Sequence, residues 1–350
     1  MTDSSNIYDL DVPGYERVRV CEDSGSGLRA IVAIHSTTLG PALGGTRFLP
    51  YVDDDDALTD VKRLAAAMTH KAAAAGLNLG GGKAVIIGDP ANIKTSQLLH
   101  AYGRLVDSLK GTYITAADIG TSSDDLDIVG EVTDFAVGKN VAAGGLGDSG
   151  RCTALGVVVS MRAAVEKLHP RRTLAGLRVG VEGAGKVGAR LIGMLLDEGA
   201  HVYATEVHQA THDMLHDVFP SVDVVDDLFD VDIDVYAPCA RGATLTNDTA
   251  QRLSAGIVCG AANNQLLTDD VEATLDKRGI VWIPDYVANS GGLIQVDAER
   301  RGSSLDEAQR HVEKLGESVT AILDRSASDG VTAASAARQI VEHRLVAGAR

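Results

Sequence analysis

The chain has 350 residues, of which 45% are hydrophobic and 23% charged, and its formal net charge is −16. This length suits about two domains with substantial hydrophobic cores, and the negative charge argues against nucleic acid or an anionic membrane as a partner. No apolar run reaches the ~18 residues of a membrane span, and the segment MTDSSNIYDLDVPG lacks the basic and apolar regions of a signal peptide. The four cysteines, Cys21, Cys152, Cys239 and Cys259, are scattered, so we expect free, mostly buried thiols in a reducing cytoplasm.

The first part of the chain predicts alternating strands and helices. Two strand-like runs, 15–23 and 28–36, are joined by the turn signal SGSG, whereas LGPALGGTRFLP at 39–50 is expected to be a loop. A helix is predicted to open at the acids 53–56, which suit the positive end of a helix dipole, and to stop at Gly76. The next predicted elements are a strand in KAVIIGDP, a helix near 95–109, a strand at 112–118 and a helix near 122–130.

The later part of the chain follows a regular alternation. Residues 138–150 are the most glycine-dense stretch and are typical of a loop or hinge. A long helix is predicted from 151 to about 168, after which strands and helices alternate to about 296, the pattern of a parallel doubly wound sheet. Two further helices are predicted near 304–327 and 332–347. The predicted fold class is α/β, with two domains across a cleft: an N-terminal mixed-sheet α/β domain and a C-terminal Rossmann-type domain.

The stretch GLNLGGGKAVI at 76–86 places three glycines before Lys83. A phosphate-binding P-loop would need glycine at Leu77 and serine or threonine at Ala84, and it would follow a strand and precede a helix. Here a predicted helix precedes the glycines and a predicted strand follows them. What remains is a lysine on flexible backbone that a ligand can approach closely.

A second glycine-rich motif lies in LRVGVEGAGKVGARLIGMLLDEGAHVYATE. An alternating strand precedes the glycines, an amphipathic helix at 187–198 follows them, and a second strand ends in Glu206, as in a dinucleotide-binding βαβ unit. Glu206 would bind the ribose hydroxyls and repel a 2′-phosphate, which favours NAD over NADP. The alternative is a glycine-bearing turn without a cofactor. The loop residues assigned to the cofactor are Gly183, Gly185, Lys186, Val187 and Gly188.

Several further blocks carry a resemblance to a known family. They are LGPALGGTR (39–47), MTHKAAAAGLNLGGGKAVIIGDP (68–90), YITAADIGT (113–121), PCARGATL (238–245), GAANNQL (260–266) and PDYVANSGG (284–292). With the glycine fingerprint, the chain resembles the glutamate/leucine/phenylalanine/valine dehydrogenases, above all the leucine and valine members. The resemblance runs from about residue 12 to 345, and its motifs are too long to agree by chance.

The resemblance implies oxidative deamination of an L-amino acid to a 2-oxo acid, with NAD taking hydride from Cα. Lys83 matches the catalytic lysine, Asp118 the catalytic aspartate, and Lys71 the lysine that binds the substrate α-carboxylate. The other matches are backbone lining the substrate site at Gly44 and Gly45, asparagines beside substrate and nicotinamide at Asn264 and Asn289, and cofactor contacts at Thr153 and Ala240. We expect no metal site.

Elementary chemistry agrees with the implied roles of the two lysines. A lysine is a poor base at its ordinary pKa of about 10.4, but a second ammonium and a dry pocket both favour the neutral form. Lys71 and Lys83 lie on either side of the predicted glycine turn, so they could converge. Lys83 would then activate water against the iminium intermediate, and Asp118 would exchange protons with the substrate nitrogen.

Each of these residues also has a purely structural interpretation. Lys71 suits the C-terminal end of a helix as a favourable cation, and Asp118 lies between a strand and a capped helix, where turns favour aspartate. Asn264 and Asn289 are equally typical of turns. Only the joint pattern favours catalysis.

The implied side-chain pocket is aliphatic. It involves Leu43, Met68, Leu293 and Val296, whereas glutamate-specific relatives place a lysine and a serine at positions like Leu43 and Val296. A glutamate γ-carboxylate buried there would cost several kcal/mol. We therefore expect leucine, valine or isoleucine as substrate, with phenylalanine left open and a broad preference, because each methylene discriminates by only ~1–3 kcal/mol.

The chain departs from the family pattern at a few positions. Arg151 and Cys152 stand where leucine-type members tend to have Pro and Val, and His70 and Ala72 replace the more usual Tyr and Asn. Glu206 replaces a commoner Asp, and Arg241 is unusual. None of these changes removes a proposed catalytic group.

The resemblance also implies a domain plan and an assembly. Residues 1–137, with a returning C-terminal helix at 331–350, are expected to bind substrate, carry the catalytic groups and mediate oligomerisation, 138–149 to form the hinge, and 150–330 to bind NAD. A homo-oligomer built from dimers is implied. Two other hypotheses stay open: an enzyme of this scaffold that condenses a 2-oxo acid without net redox change, and a non-catalytic NAD-binding regulator.

Overall fold

The computed structural model describes residues 5–349, which fall into two compact units. The first contains the described residues up to 148 together with 296–305 and 341–349. The second contains 149–295 and 306–340. The segment predicted as a hinge therefore belongs to the first unit up to residue 148, and the C-terminal return begins at 341 rather than 331. Which unit binds substrate and which binds NAD stays a prediction.

The first unit is built on a mixed sheet, as predicted. Its strands are β1 (Ser5–Leu10), β2 (Arg17–Asp23), β3 (Leu28–Ser36), β4 (Ala42–Leu49), β5 (Gly80–Ile87) and β6 (Tyr113–Ala117). They pair in the order β1-β2-β3-β5-β4-β6. The steps from β1 to β5 are antiparallel, and β4 is parallel to both β5 and β6.

Helices cover both faces of this sheet. They are α1 (Asp54–Ala74), α2 (Pro90–Ile93), α3 (Ser96–Ser108) and α4 (Ser123–Gly130). The small buried residues of α1 pack with Val85 on one face, and the leucines of α3 pack with Ile86 on the other. The predicted start of α1 is confirmed, because the Asp53 side chain accepts from the amide of Asp56 at 2.9 Å, and the chain turns at Gly76 with φ +72°.

Two predictions about the glycine-rich segments of this unit were wrong. The expected loop at 39–50 contains β4, the strand between β5 and β6. The glycines before Lys83 are not a turn, because β5 begins at Gly80 and includes all three. Glycine and proline content is typical of loops, but here the small residues let neighbouring elements approach a strand that is buried on both faces.

The second unit holds the predicted parallel sheet. Its strands are β7 (Arg178–Glu182), β8 (His201–Thr205), β9 (Asp223–Val224), β10 (Val235–Pro238), β11 (Ile257–Val258) and β12 (Val281–Trp282). The order is β12-β11-β10-β7-β8-β9, with every step parallel. The chain moves outward from β7 to β9 and then crosses back to β10, so the topological switch point lies between β7 and β10. The predicted Rossmann-type topology is confirmed.

The remaining helices follow the predicted pattern with one difference. They are α5 (Gly150–Leu168), α6 (Gly188–Asp197), α7 (Gln209–Val218), α8 (Asn247–Arg252), α9 (Asp270–Lys277), α10 (Asp285–Ala288), α11 (Gly291–Arg300), α12 (Leu305–Glu313), α13 (Leu315–Asp329) and α14 (Ala333–Gly348). The single helix expected at 304–327 is thus two helices, interrupted at Lys314. Among residues 5–349, no helix is both long and apolar enough to cross a membrane.

Candidate active site

Lys83 and Asp118 form an ion pair that spans strand β4 of the first sheet. Lys83 lies on β5 and Asp118 directly follows β6, with β4 running between those strands. Leu43 pairs with Gly81 and Thr46 with Ala84 in the β4–β5 register, so Gly45 lies beside Lys83. The lysine reaches the aspartate over a residue without a side chain.

The glycines of β4 make this crossing possible. A Cβ added at Gly45 would lie 2.9 Å from Cβ of Asp118 and 2.7 Å from the carbonyl oxygen of Ala117. A Cβ added at Gly44, on the opposite face, would lie 1.8 Å from the carbonyl oxygen of Gly82. All three distances are shorter than real Cβ contacts, so only glycine fits at these two positions without displacing the neighbouring backbone.

The glycines before Lys83 serve the packing of the sheet. A Cβ at Gly81 would lie 2.1 Å from the amide nitrogen of Thr69 on α1, and one at Gly82 would lie 2.7 Å from the ring of Tyr113. The Tyr113 hydroxyl donates to the carbonyl of Gly44 at 2.8 Å. Protein atoms thus fill the space that side chains at these two glycines would need. That the glycines also bring backbone close to a ligand stays a prediction.

Asp118 is held by its own loop as well as by Lys83. Its carboxylate accepts from the amide of Ile119 at 2.7 Å, and its amide donates to Oγ1 of Thr121 at 2.9 Å. The Thr121 hydroxyl in turn donates to the carbonyl of Thr46 on β4 at 2.7 Å. Burial alone would raise the pKa of Asp118, but Lys83, the Ile119 amide and a nearby arginine outweigh it and hold that pKa below its ordinary value.

The nearby arginine is Arg47, which sequence reasoning did not assign to the site. Its Nε lies 3.6 Å from Oδ2 of Asp118, and its Nη1 donates to Asp60 on α1 at 2.8 Å. Arg47 stands in the quoted block LGPALGGTR, two residues after Gly45. The signal that would have found it is the strand period of two, since alternate residues share one face of a sheet.

The other predicted substrate residues of the first unit are Leu43, Met68, Lys71 and Val296. Leu43 is buried on β4, on the same face as Gly45. Met68 and Lys71 are half-buried, with Lys71 in the last turn of α1. Val296 lies on α11, and its Cγ1 would be 3.8 Å from a Cβ added at Gly138.

The end of α1 is stabilised by a residue distant in sequence. Arg344 of α14 donates to the carbonyl of Ala73 at 2.7 Å and to that of Leu77 at 2.8 Å. These carbonyls lie where helix hydrogen bonding runs out. This contact explains why the chain from residue 341 belongs to the first unit, and it fixes the turn of α1 that carries Lys71.

In the second unit, the glycine fingerprint follows β7 at the switch point. Gly183 has φ +87°, which favours glycine, and a Cβ added at Gly188 would lie 2.0 Å from the carbonyl oxygen of Gly183. By contrast, apart from Gly185 and its two chain neighbours, no described residue has an atom within 4 Å of a Cβ added at Gly185. Close packing thus requires glycine at Gly183 and Gly188. Gly185 leaves open space, which the approach of a pyrophosphate requires.

Glu206 lies against this loop. Its carboxylate accepts from the amide of Ala184 at 3.0 Å and from that of His208 at 2.8 Å. Burial would raise the pKa of Glu206, but these amides hold it below its ordinary value, so the group is a carboxylate at neutral pH. These residues fit a dinucleotide, with backbone amides for phosphate and an acid for ribose hydroxyls.

The other predicted cofactor residues also lie in the second unit. Ala240 contacts the fingerprint, because a Cβ added at Gly183 would lie 2.6 Å from that of Ala240. Thr153, on α5, donates through its hydroxyl to the carbonyl of Ser149 at 3.1 Å. Lys186 is exposed and Val187 half-buried at the start of α6.

Asn264, Asn289 and Leu293 complete the predicted set. Asn264 has φ +53°, the left-handed conformation in which asparagine is enriched. The buried Asn289 donates to the carbonyl of Ala261 at 3.0 Å and to Oδ1 of Asn263 at 2.8 Å, which links it to the loop of Asn264. Leu293 is buried on α11. The catalytic or binding role of every predicted site residue stays a prediction.

Several unusual residues and the cysteines were also located. Arg151 and Arg241 are exposed, and Cys152 is buried. The four cysteines are free thiols, and burial raises the pKa of Cys239 to about 12. In the described part of the chain, no group of three or more His, Cys, Asp or Glu residues is arranged to hold a metal ion.

Comparison with known proteins decides the family. A family model described as "Glu/Leu/Phe/Val dehydrogenase, dimerisation domain" matches residues 16–134, and one described as "Glutamate/Leucine/Phenylalanine/Valine dehydrogenase" matches 206–349. The valine dehydrogenase of Streptomyces coelicolor is 47% identical to this chain over 97% of its length and 94% of the relative's. The chain belongs to the Glu/Leu/Phe/Val dehydrogenase family.

Two further similar proteins extend the comparison. The leucine dehydrogenase of Bacillus subtilis is 42% identical, with 95% of this chain and 91% of the relative covered. Among solved structures, the L-tryptophan dehydrogenase from Nostoc punctiforme is 38% identical and superposes with a TM-score of 0.84, with 96% of this chain and 97% of that chain covered. The resemblance inferred from sequence is confirmed, and so is the enzyme class, an amino acid dehydrogenase acting on CH–NH2 groups with a nicotinamide nucleotide, NAD or NADP.

Proposed function

We propose that this protein catalyses the reversible, NAD-dependent oxidative deamination of an apolar L-amino acid, with leucine, valine or isoleucine as substrate. The products are the 2-oxo acid, ammonia and NADH. The observation that carries the proposal is the Lys83–Asp118 pair, bridged over Gly45 on a sheet face that also holds the buried Leu43. Proton-handling groups and an apolar side chain are thus presented together.

The proposed chemistry divides among three charged residues. Lys71 binds the substrate α-carboxylate, and Asp118 exchanges protons with the substrate nitrogen. Lys83 takes a proton from the water that attacks the iminium carbon, so the lysine must give up its own proton within each cycle. The fingerprint Gly183–Gly188 with Glu206 would hold the nicotinamide cofactor, which when bound would supply the acceptor for the hydride that leaves Cα.

The preference for an apolar side chain is supported by the residues proposed for the pocket. Leu43, Met68, Leu293 and Val296 offer no partner to a charged side chain, and an unpaired carboxylate in an apolar pocket costs several kcal/mol. The names of the similar proteins, valine and leucine dehydrogenase, agree with this preference.

Use of NAD rather than NADP is supported by the charge of Glu206. A carboxylate beside the adenosine ribose would repel a 2′-phosphate. Self-association is supported by the family description of residues 16–134 as a dimerisation domain, and we propose a homo-oligomer built from dimers. The free thiols support a reducing compartment such as the cytoplasm.

One assay grid tests the proposal. Purified protein is incubated with NAD or NADP and with a panel of L-amino acids that includes valine, leucine, isoleucine, phenylalanine and glutamate, and reduced cofactor is measured. We expect reduction of NAD with the branched-chain substrates. Faster turnover of glutamate than of leucine would contradict the apolar pocket, and a preference for phenylalanine would narrow the assignment to an aromatic substrate.

Two variants separate catalysis from folding. Lys83→Ala should lower kcat by about 10²–10⁴-fold, the usual contribution of a positioned acid or base. Lys94→Ala is the matched control, because Lys94 forms a 2.8 Å pair with Asp125 in the same unit and should leave kcat unchanged. Near-native turnover by Lys83→Ala would show that the base is misassigned.

The same grid separates the two competing hypotheses. Reduction of NAD by an amino acid alone excludes a condensing enzyme without net redox change. Tight NAD binding without turnover of any amino acid would favour a regulator, although both Lys83 and Asp118 are present.

A further inference from the structure

Asp118 faces two cations, and only one of them has a role in the proposed reaction. Lys83 pairs with its carboxylate, and Nε of Arg47 lies 3.6 Å from the same Oδ2 atom. That Nε is buried and has no hydrogen-bond partner among the described residues. A buried guanidinium donor is costly to leave unpaired, so its position beside Asp118 calls for an explanation.

A second carboxylate fixes the position of Arg47. Nη1 of Arg47 donates to Oδ2 of Asp60 at 2.8 Å, and the Tyr51 hydroxyl donates to the same atom at 2.9 Å. Arg63 donates to the other oxygen of Asp60 at 3.1 Å. Burial would raise the pKa of Asp60, but Tyr51, Arg47 and Arg63 hold it below the ordinary value. Arg47 is thus oriented by a carboxylate that stays ionised.

The charge balance of the proposed cycle makes a second cation necessary. When Lys83 gives up its proton, Asp118 loses its nearest cation while remaining largely buried. Burial favours the protonated acid, so the carboxylate would tend to take up a proton and could no longer accept one from the substrate. An arginine keeps its charge at any working pH and donates from a rigid plane.

We propose that Arg47, oriented by Asp60, is the positioning residue that keeps Asp118 ionised and in place through both charge states of Lys83. This inference rests on the proposed function. A purely structural role is the alternative, because Arg47 also ties β4 to α1. The two roles differ in what they predict for the ionisation of Asp118.

The kinetic test uses Arg47→Met, Arg47→Lys and a matched control. Arg47→Met should lower kcat about 10–100-fold, the range seen when groups that orient metal ligands are removed, and should move the acidic limb of the kcat profile to higher pH. Arg47→Lys keeps the positive charge, so its kcat and the position of its acidic limb should both lie between those of the wild type and Arg47→Met. Arg29→Met removes an exposed pair between β3 and α1, Arg29–Asp54, and should change neither.

An infrared titration tests the same inference without relying on turnover. Protein carrying isotope-labelled aspartate is titrated, and the Asp118 carboxyl band is identified by its absence in Asp118→Asn. In Arg47→Met the pH at the titration midpoint of this band should be higher than in the wild type. In Arg47→Lys it should lie between the values of the wild type and Arg47→Met. A midpoint equal to that of the wild type would overturn the inference, whether or not the enzyme is active. Wild-type protein that turns over no amino acid would instead overturn the proposed function.

Discussion

Gly45 has no room for a side chain beside Asp118: a Cβ added to the glycine would lie 2.9 Å from Cβ of the aspartate. Because Gly45 has no side chain, Lys83 can reach Asp118 across β4. Gly45→Ala should displace Asp118, reduce kcat strongly and cost about 1–3 kcal/mol of unfolding free energy, the usual cost of overpacking. Steady-state kinetics and thermal unfolding measure the two effects.

The control for this substitution is Gly256→Ala. Apart from Gly256 and its two chain neighbours, no described residue has an atom within 4 Å of a Cβ added at Gly256, so that variant should keep both activity and stability. A fully active Gly45→Ala enzyme would show that the Lys83–Asp118 geometry tolerates the extra methyl group.

Asp118 should contribute to stability in a pH-dependent manner. Its pKa in the folded protein lies below the ordinary value, so this contribution is fully present above the ordinary pKa of about 3.9 and is lost as the pH falls through the lower folded value. Asp118→Asn should abolish activity and leave Lys83 buried without its counter-charge. Its free energy of unfolding at neutral pH should drop by about 1–3 kcal/mol.

Chemical unfolding of wild type and Asp118→Asn at several pH values measures this effect. The difference in stability should shrink toward acid pH, because the wild-type carboxylate is then protonated as well. A difference that stays constant down to the lowest pH would count against the ion pair as its source.

Glu206 should decide between the two nicotinamide cofactors. Glu206→Gln removes the negative charge and keeps the size, so NADP should gain at least about tenfold in kcat/KM relative to NAD, since opposed like charges cost several kcal/mol. Asp213→Asn neutralises an exposed acid on α7 and should leave the ratio unchanged. An unaltered ratio of kcat/KM for NADP to that for NAD in Glu206→Gln would show that other residues discriminate between the two cofactors.

Arg344 should support the substrate site from the far end of the chain. Arg344→Ala removes donors from the carbonyls of Ala73 and Leu77. The resulting loss of charged hydrogen bonds should cost about 1.5–3 kcal/mol of unfolding free energy and raise KM for the amino acid, because Lys71 lies in the turn that frays. Arg338→Ala, an exposed change on the same helix, is the comparison; equal KM values in both variants would contradict the prediction.

Glu299 should hold the glycine-rich segment that precedes α5. Its carboxylate accepts from the amides of Gly138 at 2.8 Å, Lys139 at 3.2 Å and Leu146 at 3.0 Å. Glu299→Gln leaves one acceptor oxygen, so amide hydrogen exchange across 138–147 should accelerate. Glu166→Gln, at an exposed position on α5, should not change hydrogen exchange in 138–147. Exchange in Glu299→Gln as slow as in the wild type would contradict the prediction that Glu299 stabilises this segment.

Local patterns in the sequence predicted a large part of the fold. The alternation after residue 151 predicted the parallel sheet, and the acids before α1 predicted its start, because helix caps and strand periods act between near neighbours in the chain. Lys83, Asp118 and the Gly183–Gly188 loop were identified from motifs. The assignment of 39–50 as a loop failed because composition does not report whether a strand is buried on both faces.

The long-range partners could not be predicted in the same way. Nothing local to Arg47 indicates Asp60 and Asp118 on either side of it, and nothing in α14 indicates that Arg344 binds the end of α1. Such contacts depend on the order in which strands pair and on where helices pack. A one-residue change in the register of β4 would move Arg47 to the other face of the sheet, away from both carboxylates.

The sequence by itself determined the family chemistry, the nucleotide fingerprint and the identity of the charged groups, since these are properties of residue types at fixed spacing. Only the tertiary structure decided what the glycines around Lys83 are for and which groups share the charge of Asp118. The physical reason is that strands β4, β5 and β6 come from distant parts of the chain. Their pairing alone brings a lysine, a glycine, an arginine and an aspartate onto one buried face.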